Sequence, residues 1–519
     1  MITPSFEEFS RLAAKGNVVP VYRELLADME TPVSVFQKLN AGSEYAFLLE
    51  SVEGGEKVGR YSFLGVDPAV LFRVQGKQQE IISDDQTLAA RATPIETLRF
   101  LLSRYNVVAD PKLPVFFGGA VGFMSYDTVR YYERIPDKLP DELGLPDCVI
   151  MIAESVVAFD HVKHRMILIV NARVEAGADL RATYDGAVAK LEALKGRIRN
   201  SQQPAAETRE KAAQENLPPD DRNGSLPGYH DVHGAFDSLN IKVQTNCDRA
   251  SYTEMVRRAK DYITAGDIFQ VVLSQRFSAR ITCNPFDIYR AVRAVNPSPY
   301  MFYLKCGDGF QLAGSSPEIL SKLNDGKVTV RPIAGTRPRG ATPEADLSNE
   351  RDLLADEKEL AEHVMLVDLG RNDVGRVSQF GTVKVESLKA IERYSHVMHI
   401  VSTVVGEIAP KKDALDVLAA TFPAGTLTGA PKIRAMEIID ELEKARRGPY
   451  GGTVIYLGFN GAMDSCITIR TAVIKGDRVY VQAGGGIVAD SHPDAEYLET
   501  VNKAMGMLRA VELAEAGLE

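Results

Sequence analysis

The chain has 519 residues, 45% hydrophobic and 25% charged, which excludes a disordered or collagen-like polypeptide and fits a soluble globular protein. Its formal net charge is −10, and no run of Lys or Arg interrupts that balance, so nucleic acid and membrane surfaces are poor partners. Length alone suggests about three domains.

Five cysteines (Cys148, Cys247, Cys283, Cys306 and Cys466) are widely spaced and form no CxxC. They predict a reduced, cytoplasmic protein without a disulfide framework or zinc knuckle. The opening Met1-Ile-Thr-Pro-Ser-Phe-Glu-Glu lacks the basic and apolar regions of a signal peptide. The apolar stretch Val149–Phe159 is broken by Glu154 and is too short to span a bilayer.

Residues 1–200 alternate strand-like and helix-like segments. Tyr45-Ala-Phe-Leu-Leu, Val149-Ile-Met-Ile-Ala and Met166-Ile-Leu-Ile-Val predict strands, and Leu180–Arg199 predicts an amphipathic helix. Residues 201–245 are polar and rich in helix and strand breakers, which predicts a linker or surface excursion. Ser251 and Glu254 have capping-box spacing and predict a helix start. From there to about residue 510 the chain is dense in regular elements.

Arg331-Pro-Ile-Ala-Gly335-Thr336-Arg337 reads as a strand end running into a turn. Leu353, Leu360, Val364 and Val367 recur at helical spacing, so Glu359 and Glu362 project side by side from one helix. Val481-Gln-Ala-Gly484-Gly485-Gly486 reads as a strand ending in three glycines, where amides could approach an anion or simply make a tight connection. Ser491 to Asp494 mark another helix start. Leu498, Val501, Met505 and Leu508 form its apolar stripe, with Glu496, Glu499 and Lys503 on a neighbouring face.

Two helices each carrying paired carboxylates could share a hard divalent cation such as Mg²⁺. A solvated acidic face explains the same spacing. Gly425-Thr426-Leu-Thr-Gly-Ala-Pro-Lys432 is not a phosphate-binding loop, because its spacing is wrong and Pro431 interrupts it. The pairs His161/His164, His230/His233 and His396/His399 share HxxH spacing without the context of a zinc site.

Taken together, Pro332-Ile-Ala-Gly-Thr-Arg, Asp356-Glu-Lys-Glu-Leu-Ala-Glu-His, Leu369-Gly-Arg-Asn-Asp, Phe422-Pro-Ala-Gly-Thr-Leu-Thr-Gly-Ala-Pro-Lys and Ala483-Gly-Gly-Gly-Ile-Val-Ala-Asp-Ser resemble the chorismate-utilising enzyme family. The match is dense over 247–508 and looser over the first 200 residues. It implies a large α/β (α+β) fold of antiparallel sheets packed with helices, in two subdomains with the site in their cleft. It implies an amino-terminal region at 1–200, the linker at 201–245, and a chorismate-binding catalytic region at 246–512.

The segments Leu48-Leu-Glu50-Ser51 and Asn296-Pro-Ser-Pro299-Tyr300-Met301, with Ala334 where the para-amino branch carries Lys, resemble the branch that forms anthranilate. That resemblance assigns Glu362 and Glu499 to Mg²⁺ and His399, Glu359, Glu496 and Thr426 to catalysis. Gly335, Thr336, Tyr450, Arg470, Gly484, Gly485, Gly486 and Lys503 fall to chorismate, and Glu50, Ser51, Pro299, Tyr300 and Met301 to the feedback inhibitor L-tryptophan. It also implies ammonia delivered by a separate glutamine amidotransferase subunit in a hetero-oligomer, because no Cys stands in a nucleophile-elbow context here. The aminodeoxychorismate, isochorismate and salicylate synthases are the neighbouring branches.

Overall fold

Strands buried on both faces must be covered on both faces. Gln270–Arg280 and Arg165–Arg173 are buried along nearly their whole length, on inward and outward positions alike. Cover comes from a second sheet on one side and helices on the other. The computed structural model describes residues 1–51, 59–84, 87–200, 226–232, 234, 236–394 and 397–518.

The first sheet has 14 strands among the described residues. Its path runs Ile2–Thr3, Val18–Leu26, Arg165–Arg173, Ser155–Asp160, Tyr61–Val66, Tyr45–Glu50, Tyr300–Cys306, Phe310–Ser316, Thr471–Lys475, Arg478–Ile487, Gln270–Arg280, Val243–Thr245 and His230–Asp231. Gly429–Ala430 adds to the Gln270 end of Gln270–Arg280. The second sheet has 11 strands among the described residues. It runs Ile333–Pro338, Val397–Glu407, Lys327–Val330, Ile319–Asn324, Met463–Ile467, Thr453–Gly458, Gly119–Met124, Cys148–Ala153, Val70–Gln75 and Gln78–Ser83, with Lys384–Arg393 paired to Val397–Glu407. Both sheets are antiparallel throughout their ladders. The expected α/β architecture of antiparallel sheets and helices is what forms.

Each sheet takes strands from both ends of the chain. Tyr45–Glu50 pairs with Tyr300–Cys306 in one, and Gly119–Met124 with Thr453–Gly458 in the other. The segments 1–200 and 246–512 are therefore woven into common layers. Phe47, Phe63, Phe116, Phe123, Leu304, Leu312 and Val454 fill the space between the sheets. Phe36, Val256, Val292 and Leu508 bind helices to the outer face of the first sheet, and Leu98, Val367, Leu418 and Met436 to that of the second. The order of layers is helix, sheet, sheet, helix.

The predicted strands at 45, 149 and 166 form as Tyr45–Glu50, Cys148–Ala153 and Arg165–Arg173, and the helix forms over Leu180–Asn200. Four expectations need correction. The helix expected from Ser251 begins at Arg249, because the Asp248 carboxylate accepts from the Ser251 amide and caps it. Leu353 belongs to a separate helix, Pro343–Ala355. Asp356 has extended backbone and caps the next helix, Glu357–Gly375, by accepting from the amides of Lys358 and Glu359. Leu498 and Val364 face solvent, and Thr500, Val501, Ala504, Met507 and Leu508 make the buried stripe of Pro493–Glu515. Of the expected linker, 201–225 lies outside the described residues, as do His233 and His396, whereas Tyr229, Phe236, Leu239 and Val243 are buried in the body. All five cysteines are free thiols. No described helix is long and apolar enough to cross a membrane.

Gly122 shows how closely the second sheet is built. A Cβ there would stand 1.9 Å from the Val149 carbonyl oxygen. Gly122→Ala should cost about 1–3 kcal/mol of stability, the usual penalty for forcing atoms into a packed core. A denaturation midpoint unchanged from the parent would show that this contact is relaxed at no cost.

Candidate active site

The floor of the site is the strand Arg478–Ile487. Gly484, Gly485 and Gly486 stand opposite Ser274, Leu273 and Val272. As expected, the glycines stand at the end of the strand, which closes one residue later at Ile487. They lie inside the ladder, none with a positive φ. They are required by what presses on them. A Cβ at Gly484 would come within 2.7 Å of the Tyr450 hydroxyl, one at Gly485 within 2.9 Å of Glu496 Oε2, and one at Gly486 within 2.6 Å of Gln270 Nε2. Pairing with Thr471–Lys475 stops at Ala472 and Val481, so beyond it the strand's other edge has no strand partner among the described residues. On this stretch the Gly484 carbonyl accepts from Lys503 Nζ at 3.0 Å.

The two acidic helices reach this floor. Glu362 accepts from Gln270 Nε2 at 2.8 Å and would lie 3.8 Å from a Cβ on Gly486. Glu359 stands 3.6 Å from Arg337. Burial raises the Glu359 pKa and the neighbouring Glu362 adds to it. Glu496 is buried, with Oε2 unpartnered among the described residues. Burial raises its pKa too, opposed by a hydrogen bond from Ser491 and reinforced by Glu499. Glu499 pairs with Lys503 at 2.7 Å on the exposed side. No three ligand-type side chains converge on one point among the described residues, so the carboxylates approach in pairs and do not form a finished cage.

His399 comes from Val397–Glu407. Ile333–Pro338 pairs with it as a full strand, not as the expected strand end, and its register shifts between Ala334 and Thr336. Gly335 takes φ +69 at that bulge. A Cβ there would meet Glu359 Oε2 at 3.2 Å and Ile400 Cδ1 at 3.2 Å. The bulge brings the Gly335 carbonyl to 3.1 Å and the Thr336 hydroxyl to 3.0 Å from His399 Nδ1. A carbonyl only accepts, so Nδ1 carries the proton and the Nε2 lone pair is left for chemistry. Burial pushes the His399 pKa down to about 4, with the Gly335 carbonyl opposing. The imidazole is neutral at pH 7. Tyr394 stands edge-on to it at 5.6 Å.

One residue of this site had no signal in the spacing. Glu318 joins the strands Phe310–Ser316 and Ile319–Asn324 and is 8% exposed. Thr426 donates to its Oε1 at 2.9 Å from the single-turn helix Gly425–Thr428. Burial pushes the Glu318 pKa up to about 8, against the pull of Thr426, Arg470 and Lys503. It carries a proton at neutral pH. Arg470, at φ +49, acts electrostatically on both Glu318 and His399 and so lies within reach of each. Tyr450 is buried, and burial raises its pKa. An isolated Glu in Ser-Ser-Pro-Glu shows no periodicity or pair; only burial beside cations identifies it.

The five residues assigned to the inhibitor meet elsewhere. Glu50, Ser51, Pro299, Tyr300 and Met301 all line one cavity of about 880 Å³. Met301 stands directly opposite Glu50 in the ladder. Glu50 accepts from the Tyr289 hydroxyl at 2.5 Å and lies 3.3 Å from Arg293 Nε. Ser51 Oγ is buried without a partner among the described residues. The Tyr300 hydroxyl donates to Asp464 at 3.0 Å. The cavity also touches Pro317, Ile319 and Tyr394, neighbours of Glu318 and His399.

Comparison with known proteins shows the family. Residues 44–509 match the model of the chorismate binding enzyme family. The chain is 49% identical to anthranilate synthase component 1 of Pseudomonas aeruginosa, covering 99% of each chain. It is 47% identical to that of Acetivibrio thermocellus, covering 100% of this chain and 99% of the other. The crystal structure of anthranilate synthase component I from Streptococcus pneumoniae superposes with a TM-score of 0.70 at 38% identity, covering 88% of this chain and 95% of that one. The menaquinone-specific isochorismate synthase of Escherichia coli shares the fold with a TM-score of 0.66 at 18% identity, covering 98% and 99%. Matched by the family model over residues 44–509 and 47–49% identical to these two relatives along almost its whole length, this chain belongs to the chorismate binding enzyme family.

Proposed function

We propose that this chain is the synthase subunit that converts chorismate and ammonia to anthranilate and pyruvate in tryptophan biosynthesis. The observation that carries the reading is the placing of two buried groups, Glu318 held by Thr426 and His399 with its Nε2 left free by the Gly335 carbonyl, both within the influence of Arg470. Chorismate has two carboxylates, and Arg470 and Lys503 supply two cations. Replacing its C4 hydroxyl by ammonia at C2 needs a proton for the departing oxygen. Glu318 is protonated at pH 7 and held by Thr426, so it is placed to donate that proton, and Glu359 and Glu496 complete the acidic shell. Aromatisation then removes the C2 proton as pyruvate leaves, and the free Nε2 of His399 is a base fit for that step. Gly335, Thr336, Tyr450 and Gly484 to Gly486 shape the space around the ring.

The residues fit Mg²⁺. Every donor in the two pairs is a carboxylate oxygen, and the buried Glu496 Oε2 lacks a partner among the described residues. Glu362 and Glu499 would hold the ion, with Glu359 and Glu496 beside them. When bound, it supplies Lewis-acid polarisation of the ring carboxylate.

Ammonia comes from a separate glutamine amidotransferase in a hetero-oligomer. Supporting this, burial raises the pKa of all five thiols, Cys247 to about 12, so none is poised as a nucleophile. The free thiols also suit a reducing cytoplasm. The large cavity is the L-tryptophan site: Glu50 and Ser51 face the amino-acid head, and Pro299, Tyr300 and Met301 the indole. Its contact with the neighbours of Glu318 and His399 supports inhibition through them, with a coupling of about 1–3 kcal/mol.

Chorismate, Mg²⁺ and an ammonium salt should give fluorescent anthranilate, whereas glutamine should not serve the purified chain alone. Anthranilate from glutamine without a partner would overturn the subunit assignment. In that assay Glu318→Gln should lower kcat about 10²- to 10⁴-fold. The parent's kcat at saturating free ammonia should fall as pH rises through about 8, where Glu318 loses its proton; a kcat still rising there would remove Glu318 as the donor.

Glu362→Gln and Glu499→Gln should each abolish synthesis and weaken Mg²⁺ binding by calorimetry, with unchanged circular dichroism. Full activity of either variant, or of the parent in EDTA, would refute the metal assignment. Ser51→Phe should fill part of the inhibitor cavity, keeping near-parent synthesis while resisting tryptophan. Equal inhibition of variant and parent would count against that site.

A further inference from the structure

We infer that the buried ion pair Glu443–Arg447 is a positioning device for the active site, holding the glycine floor, the Thr426 turn and Tyr450 in one fixed arrangement; this rests on the reading of that site given above. Both side chains are almost wholly buried, at 2% and 1% exposure. Arg447 Nη2 donates to Glu443 Oε1 at 2.6 Å, and Nε donates to Oε2 at 3.0 Å. Its remaining donors leave the pair. Nη1 reaches the Leu427 carbonyl at 2.6 Å, next to Thr426, and Nη2 reaches the Val272 carbonyl at 2.7 Å, in the residue opposite Gly486. Glu443 Oε1 accepts from both the amide and the hydroxyl of Ser274 at 2.8 Å, the residue opposite Gly484. The guanidinium also lies 5.6 Å from the Tyr450 ring centre and 4.7 Å from that of Tyr126.

A buried ion pair is seldom the cheapest way to stabilise a core, because desolvation offsets most of the attraction. Apolar side chains of equal volume would fill this space. They could not tie three backbone groups and a ring together. The pair can: the guanidinium, its donors fixed in one fork, holds the two carbonyls, and Glu443 holds the Ser274 amide; Lys cannot reproduce that geometry. The elements it joins bear groups placed at the substrate: Thr426 on Glu318, Tyr450 against Gly484, and the glycines themselves. Neither Glu443 nor Arg447 is placed at the substrate; each acts through those neighbours.

The test uses the full chain with chorismate, Mg²⁺ and ammonium. Arg447→Lys should fold, as judged by circular dichroism and a cooperative melt, yet lose about 100-fold in kcat/KM, the scale expected of an ångström-sized misplacement. Displacing the Thr426 hydroxyl removes a bond that favours ionised Glu318, whose other near charges are Arg470 and Lys503. The alkaline limb of kcat should therefore move to higher pH, which a loss of folded protein alone would not cause. The double variant Glu443→Gln/Arg447→Met should show the same two changes and decides the matter if Arg447→Lys fails to fold. Parent-like kcat/KM, or an unmoved alkaline limb in a folded variant, overturns the inference. A parent that makes no anthranilate under these conditions would defeat the functional reading instead.

Discussion

The ladder between Arg478–Ile487 and Gln270–Arg280 is the constraint on which the site depends. Its register sets Gly484 to Gly486 against Ser274 to Val272 and so decides where side chains can approach the backbone. Removing three successive Cβ atoms leaves the strand paired but thin. Tyr450, Glu496 and Gln270 occupy the space that ordinary side chains would fill. From behind, Glu443 and Arg447 grip the same residues through the Ser274 amide and Val272 carbonyl. A one-residue slip would turn alternate positions to the other face and dissolve the arrangement.

On that frame, burial does most of the electrostatic work. It drives the carboxyl of Glu318 and the imidazole of His399 toward their neutral forms, one shifting up and the other down. A protonated acid and an unprotonated base can then coexist at one pH. Local contacts tune this. Thr426 restrains the upward shift of Glu318, and the bulge at Gly335 selects the tautomer of His399 by offering Nδ1 a carbonyl. Arg470 lies within reach of both and helps keep the histidine uncharged.

The cavity of about 880 Å³ shares its wall with these residues. Pro317 and Ile319 line it, and Glu318 between them accepts from Thr426 on the active-site side. Tyr394 faces the cavity while its ring meets His399. A ligand that repacks that wall acts directly on the neighbours of the acid and the base, so coupling requires no long relay of contacts.

Much of this was legible in the chain itself. Apolar runs at 45, 149 and 166 located strands, and the paired carboxylates and the triple glycine stood out as residues that the fold then brings together, because periodicity and glycine clusters are local signals. Helix boundaries were less legible: Asp248 and Asp356 cap through side-chain geometry that spacing at Ser251 and Leu353 does not reveal. Leu498 and Val364 fit an apolar stripe yet face water, since which side of a helix is buried depends on the layer beneath it. The sheet partners lie hundreds of residues apart, so only folding joins Glu50 to Met301 or Gly122 to Ile455. Glu318 is the clearest case. As sequence it is one glutamate among many. Its proton is held by desolvation in the tertiary structure, a property of surroundings that no single residue carries.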